Sequence, residues 1–200
     1  MLEMLNSFAV SFDLPILNWI QANLQCGFLD FIMPIITLFG DGGIFWIGCA
    51  VFLLFFPKYR KVGLTMGLAL IMGVVVCNIT LKPIVGRPRP IDFIMSRDLM
   101  DVCTLPAKVP VMHDFSFPSG HTIASFEAAV VLVLNDKKLG IPALILAILI
   151  SLSRLYLYVH YPTDVIFSVI FGTLFAILAN LIMKKVKFGE PRHGKYEKVA

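Results

Sequence analysis

Charge is scarce in this chain. Its 200 residues carry 17 basic and 13 acidic side chains, 15% of the total, against about 25% in ordinary soluble domains. A disordered chain, a nucleic-acid-binding domain and a collagen-like fibre all need a different composition. Cysteine is sparse too. Cys26, Cys49, Cys77 and Cys103 are widely spaced, which excludes a disulfide framework and a metal-finger spacing. No HExxH-type spacing, internal repeat or low-complexity tract is present. The opening M-L-E-M-L-N-S-F lacks a basic leader and carries Glu3, with Asp13 following, so no cleaved signal peptide is expected.

Apolar residues are abundant. They make up 58% of the chain, the mean hydropathy is +0.85, and a soluble monomer of this length cannot bury that much apolar surface. A polytopic membrane protein remains. A spanning helix needs about 20 mostly apolar residues. Val62–Leu81 and Val165–Met183 are uncharged runs of about this length, and Leu139–Val159 is broken only by Arg154. Thr122–Asn135 carries one charge, Glu127, and the runs Phe28–Phe39 and Ile44–Phe56 are separated by the turn signal G-D-G-G. The pattern predicts an all-α helical bundle of about six transmembrane helices, with the first least defined because Phe28–Phe39 is short for a span.

Basic residues gather in three short stretches: Lys58, Arg60 and Lys61; Lys137 and Lys138; Lys184, Lys185 and Lys187. With six crossings all three lie on one side. The positive-inside rule makes that side the cytoplasm, with both termini there, the protein in the plasma (inner) membrane and the segment from Ile84 to Phe117 on the outer face. The chain divides into an interfacial, amphipathic segment 1–27, a transmembrane domain 28–187 with an outer loop 85–117, and a flexible cytoplasmic tail 188–200. Gly63 and Gly67 form a GxxxG pattern suited to helix packing.

Three motifs fall at the outer ends of predicted helices. Lys82–Pro90, K-P-I-V-G-R-P-R-P, supplies Lys82, Arg87 and Arg89, a point charge and two planar forks suited to an oxyanion, or else a basic turn facing headgroups. Pro118–His121, P-S-G-H, opens a helix with proline at its first position. Its backbone N–H groups at Ser119, Gly120 and His121 suit a phosphate, with His121 placed to move a proton. Ser153–Asp164, S-R-L-Y-L-Y-V-H-Y-P-T-D, places Arg154 inside an apolar stretch, where a charge is costly. It also places Asp164 four residues after His160, where it can hold one imidazole nitrogen and aim the other. A phosphate cradle with two histidines, one paired to an aspartate, suits phosphoryl transfer through a covalent intermediate.

These residues resemble the signature of the type 2 phosphatidic acid phosphatase superfamily, which includes bacterial acid phosphatases and vanadium haloperoxidases. Lys82, Arg89 and Pro90 match its first part, Pro118, Ser119, Gly120 and His121 its second, and Ser153, Arg154, His160 and Asp164 its third. The resemblance implies an acid-phosphatase/haloperoxidase-like helical core and a metal-independent, cofactor-free membrane lipid phosphatase similar to undecaprenyl-diphosphatases. It also implies a catalytic set of His160 as nucleophile, Asp164 as its orienting partner and His121 as acid and base. Lys82, Arg89, Ser119, Gly120 and Arg154 would hold phosphate. Arg87 lies outside the family pattern and is a possible accessory cation. The expected partners are the bilayer and a lipid phosphate: undecaprenyl diphosphate, phosphatidylglycerol phosphate or phosphatidic acid. No nucleic acid is expected, and the sequence leaves the oligomeric state open. A phosphotransferase with the same site, an anion transporter and a histidine-based metallohydrolase are the competing functions. His113 matches no family position. Glu127, about 240° around the helix from His121, should face a neighbouring helix and hydrogen-bond to Asn78 or Asn180.

Overall fold

The computed structural model describes residues 2–106, 112 and 114–186. Lys108, His113, Lys187 and the tail 188–200 lie outside the described residues, which contain helices and no strands. The chain runs through α1 (Leu2–Phe8), a π-helical stretch Ala9–Asp13, α2 (Leu14–Leu24), α3 (Gly27–Leu38) and α4 (Ile44–Leu54). It continues through α5 (Arg60–Gly73), which passes into a π-helix Val74–Leu81, then α6 (Lys82–Val85) and α7 (Pro90–Ser96). The last three helices are α8 (Gly120–Asn135), α9 (Lys137–Tyr156) and α10 (Pro162–Lys185). The all-α expectation is borne out.

Four stretches are long and apolar enough to cross a membrane: Gly27–Leu54, Arg60–Ser96, Lys137–Tyr156 and Pro162–Lys185, with Gly120–Asn135 a shorter apolar helix. The last of these is the hub. It packs most extensively against α9 and α10, and also against α5 and α4. Small residues let the axes approach. Ala128 and Ala129 of α8, Ala69 of α5, Ala147 of α9 and Ala176 and Ala179 of α10 are all fully buried. The outward faces carry Phe52, Ile71, Ile79, Leu149 and Leu174, all exposed, as a lipid-facing surface requires. A Cβ on Gly63 would press on the Ala50 carbonyl of α4, whereas one on Gly67 would meet open space, so only Gly63 marks a close helix approach.

The two upstream apolar runs behave differently from the expected pair of crossings. Leu29 of α3 packs near Leu157 and Val159, while Gly40, just past α3, lies against Ile150 and the His121 ring. The chain therefore descends along α3 and continues in the same sense through α4, as one interrupted stretch. The interruption is the G-D-G-G turn. Gly42 and Gly43 have φ of 56° and 67°, a left-handed conformation that glycine adopts without steric cost. Among the described residues the apolar stretches are thus four long ones and one shorter one.

Contacts at the helix ends sort the basic clusters and the N-terminal helices to opposite ends of the bundle. Tyr59 Oη donates to Asp136 Oδ2 (2.9 Å) and Lys61 Nζ to the Val186 carbonyl (3.3 Å). The starts of α5 and α9 and the end of α10, with their basic clusters, therefore meet at one end of the bundle. The N-terminal helices pack at the other end. Leu5, Ala9, Asp13, Leu17 and Gln21 are buried, a spacing of four that forms one helical face. Ala9 and Leu17 pack against Phe93, Ile94, Tyr158 and Tyr161.

Candidate active site

The three motifs converge at the end of the bundle that carries the N-terminal helices. Lys82, Arg89, Gly120, His121 and His160 line one cavity of about 220 Å³. Each arrives from a helix end. The π-helix closes with the Lys82 N–H bonded to the Cys77 carbonyl five residues back, and such insertions re-aim side chains at functional sites. Gly86, with φ of 60°, then ends α6, so Arg87 and Arg89 follow in a non-helical segment.

His160 sits in the tight turn between α9 and α10. Its Nδ1 lies 3.4 Å from Asp164 Oδ2 and its Nε2 3.4 Å from Arg89 Nη1. The Tyr161 N–H also donates to Asp164 Oδ2 (3.1 Å). Burial, followed by the positive charges of Arg89, Arg154 and Lys82, holds the His160 imidazole well below its ordinary value. The ring is therefore neutral at physiological pH. The turn itself is strained. Tyr158 has φ of 61°, which costs a non-glycine residue about 1–2 kcal/mol, and its hydroxyl is tied to Asn18 Oδ1 (3.0 Å).

The cations surround His160. Arg89 donates through Nη1 to the Val159 carbonyl (2.6 Å) and through Nε to the Asp114 carbonyl (2.9 Å). Lys82 and Arg89 both form ion pairs with the Asp114 carboxylate. Burial raises the Asp114 carboxyl, but its bonds to Lys82 and Arg89 outweigh this and bring it down to about 2. Arg154 is buried and donates through Nη1 to Thr37 Oγ1 (2.7 Å), while its Nε and Nη2 have no protein partner. Unpaired buried guanidinium nitrogens are costly, and an anion would satisfy them.

His121 lies across the cavity, its Nε2 2.6 Å from Asp41 Oδ1. Asp41 comes from the G-D-G-G turn, which the sequence marks only as a turn. Nothing in its spacing links it to a histidine 80 residues away, and the same holds for Asp114.

Pro118, Ser119, Arg87 and Glu127 are placed differently from expectation. Helix α8 begins at Gly120 with Ser119 as its N-cap, so Pro118 precedes the helix instead of opening it. Ser119 is fully buried. Its N–H donates to Ser168 Oγ (2.8 Å) and its hydroxyl accepts from Thr122 Oγ1 (3.1 Å). The Gly120 and His121 amides, in the first turn, are the ones left without intrahelical partners. Arg87 is fully buried and bonded to Asp13 and Asp164, and it does not line the cavity. Glu127 does line it. The cavity runs down the wall of α8, and Gly73 of α5 has no side chain to close it, so the carboxyl lies against Gly73. It bonds to neither Asn78 nor Asn180, and Asn180 accepts from Asn135 instead.

Ile47, Leu70 and Val74 line this cavity and also an apolar groove of about 510 Å³ along α4 and α5. Among the described residues no group of three or more His, Cys, Asp or Glu side chains could hold a metal ion, and the four cysteines are free.

Residues 61–188 match the PAP2 superfamily. The chain is 30% identical over 203 residues to phosphatidylglycerophosphatase B of Bacillus subtilis, covering 92% of this chain and 84% of that one. It is 29% identical over 171 residues to undecaprenyl-diphosphatase of Sulfolobus acidocaldarius, covering 85% and 78%. Its fold resembles the crystal structure of the transmembrane PAP2-type phosphatidylglycerolphosphate phosphatase from Bacillus subtilis, with a TM-score of 0.64, 26% identity and coverage of 86% and 85%.

Proposed function

The chain belongs to the PAP2 superfamily, and from that membership we propose that it hydrolyses a phosphomonoester or diphosphate of a membrane lipid through a phosphohistidine, without a metal or cofactor. The observation that carries this reading is the disposition of the two His160 nitrogens. Nδ1 faces Asp164, and Nε2 faces the cavity beside Arg89. An Nδ1–H held by the carboxylate leaves the Nε2 lone pair free to attack phosphorus.

In the first step His160 Nε2 bonds to phosphorus as the bond to the lipid oxygen breaks, and His121 gives that oxygen its proton. In the second step the now neutral His121 takes a proton from water, the water oxygen bonds to phosphorus, and the phosphorus–nitrogen bond breaks to release phosphate. Lys82, Arg89, Arg154 and the Gly120 amide stabilise the equatorial oxygens. Ser119 supports the start of α8 through Ser168 and Thr122.

A lipid substrate is supported by the apolar groove that meets the cavity at Ile47, Leu70 and Val74. The names of the relatives span prenyl diphosphate and glycerophospholipid substrates, and undecaprenyl diphosphate, phosphatidylglycerol phosphate and phosphatidic acid are the candidates. The basic clusters gather at the end opposite the site, which by the positive-inside rule supports a site on the outer face of the membrane, with the N-terminal helices beside it and the end of α10 toward the cytoplasm.

The test is phosphate release by the purified, detergent-solubilised chain with EDTA present, on those three lipids. Release that resists chelator and is lost in His160→Ala is the expected result. Release that survives the mutation overturns His160 as nucleophile. Transfer of phosphate to a second lipid instead of water would make the chain a phosphotransferase.

A further inference from the structure

The buried Arg87 guanidinium is shared between two carboxylates. Its Nη1 donates to Asp164 Oδ1 (2.5 Å) and its Nη2 to Asp13 Oδ2 (2.7 Å). Nη1 also reaches Thr163 Oγ1 (2.8 Å), and Nη2 the Leu5 carbonyl (3.1 Å). The guanidinium stacks on the Tyr161 ring, 3.7 Å from its centroid. Asp13 in turn accepts from the Thr163 N–H (2.9 Å) and hydroxyl (2.8 Å), at the start of α10. Arg87, Asp13 and Asp164 have fully buried side chains. Taking three charges out of water is expensive, and replacing them with apolar side chains would serve stability as well or better.

We propose that Asp13 is a positioning residue for the phosphohistidine step, keeping the Asp164 charge available to His160. The proposal rests on the phosphohistidine reading given above. Its basis is charge balance. When His160 Nε2 bonds to phosphorus, the ring becomes an imidazolium with its Nδ1–H on Asp164. If Arg87 faced Asp164 alone, it would neutralise the carboxylate that must balance that positive ring. With Asp13 on the other side of Arg87, the cluster of two carboxylates and one guanidinium keeps one net negative charge beside His160. Asp13 lies outside the stretch that matches the superfamily, residues 61–188. Two further contacts tie the same N-terminal helices to the turn that carries His160: Gln21 Nε2 donates to the Tyr156 carbonyl (2.7 Å), and Asn18 accepts from the Tyr158 hydroxyl.

The test compares wild type, Asp13→Asn and the double variant Asp13→Asn/Arg87→Gln in the full chain, with the lipid that wild type hydrolyses fastest. Asp13→Asn removes the second carboxylate and is expected to lower kcat by about 10-fold to 100-fold, the range for loss of an outer-shell partner. KM and inhibition by inorganic vanadate should stay within about twofold, because Lys82, Arg89 and Arg154 are untouched. The double variant removes one negative and one positive charge and restores the net charge of the cluster, so kcat should recover toward wild type. A purely structural role predicts the reverse, with the two losses compounding. An Asp13→Asn kcat within twofold of wild type, or a double variant slower than the single one, overturns the proposal. Should Asp13→Asn fail to fold, the double variant decides alone: a kcat within about 10-fold of wild type supports the proposal, and a larger loss overturns it. Wild type inactive on all three lipids would count instead against the phosphatase reading.

Discussion

The two histidines of the cavity are held in opposite ways. His160 is buried, fixed by Asp164 on one nitrogen and Arg89 near the other, and anchored through a turn that the N-terminal helices clamp. His121 projects from the first turn of α8 onto Asp41, a carboxylate whose side chain is 53% exposed. A nucleophile benefits from one fixed orientation and a neutral ring. An acid that becomes a base between two steps must exchange its proton with water, so a partner at the cavity mouth suits it. Substitutions on the two sides should therefore register in different steps.

The largest effect is expected at His160. His160→Gln should lower hydrolysis by about 10⁶-fold, as removal of a covalent nucleophile does elsewhere, and no phosphoenzyme should be trapped after rapid acid quench. The same side chain should also shape stability. Its proton affinity is depressed in the folded state, so folding is favoured above about pH 6.5, and that contribution is lost as pH falls toward the folded value. Between pH 7 and pH 5 the wild type should lose stability through this group, and the pH dependence of thermal unfolding should be shallower in His160→Gln. Equal slopes would show that the folded ring is not held neutral.

On the His121 side the effect should be smaller and confined to proton transfer. Asp41→Asn is expected to lower kcat by about 10²-fold, the low end of what a general acid–base group supplies, with KM little changed. Gly40→Ala probes the same ring by sterics, because a methyl group there would lie 2.6 Å from the His121 ring. It should depress kcat in the same direction without touching a charge. If either variant instead raises KM as much as it lowers kcat, the division of labour between the histidines is wrong.

What the sequence made legible was local. Lys82 to Pro90, Pro118 to His121 and Ser153 to Asp164 are fixed spacings at helix ends, and the four-residue spacing from the turn into the first turn of α10 brings Asp164 beside His160. The all-α membrane architecture followed from apolar run lengths. What stayed hidden were the partners that tertiary packing supplies. Asp13, Asp41 and Asp114 are single acidic residues in unrelated segments, and no periodicity connects them to Arg87, His121 or Arg89. Arg87 reads as one more cation in a basic turn until the fold buries it between two carboxylates. The Glu127 expectation failed for a different reason. Angular position around α8 was sound, but a cavity deep enough to run down the helix, opened by Gly73, reaches residues that do not share a face with His121.

The smallest effect is expected where the two sides meet, at Asp114. Its carboxylate bridges Lys82 and Arg89, the two cations that a phosphate would use, so substrate must displace it. The Asp114 side chain is 49% exposed, and an ion pair so placed is worth no more than about 1 kcal/mol. Asp114→Asn should therefore lower KM by no more than about fivefold, while the lysine and arginine stay in place. Because the carboxyl titrates at about 2, it remains ionised through the whole assay range and would be neutralised only as pH falls toward that value. The ratio of wild-type to variant KM should accordingly stay flat from pH 5 to pH 8. A ratio that shrinks toward unity at pH 5 would mean the Asp114 proton comes off far above 2, and that the carboxylate is a weaker competitor for the cradle than its two ion pairs indicate.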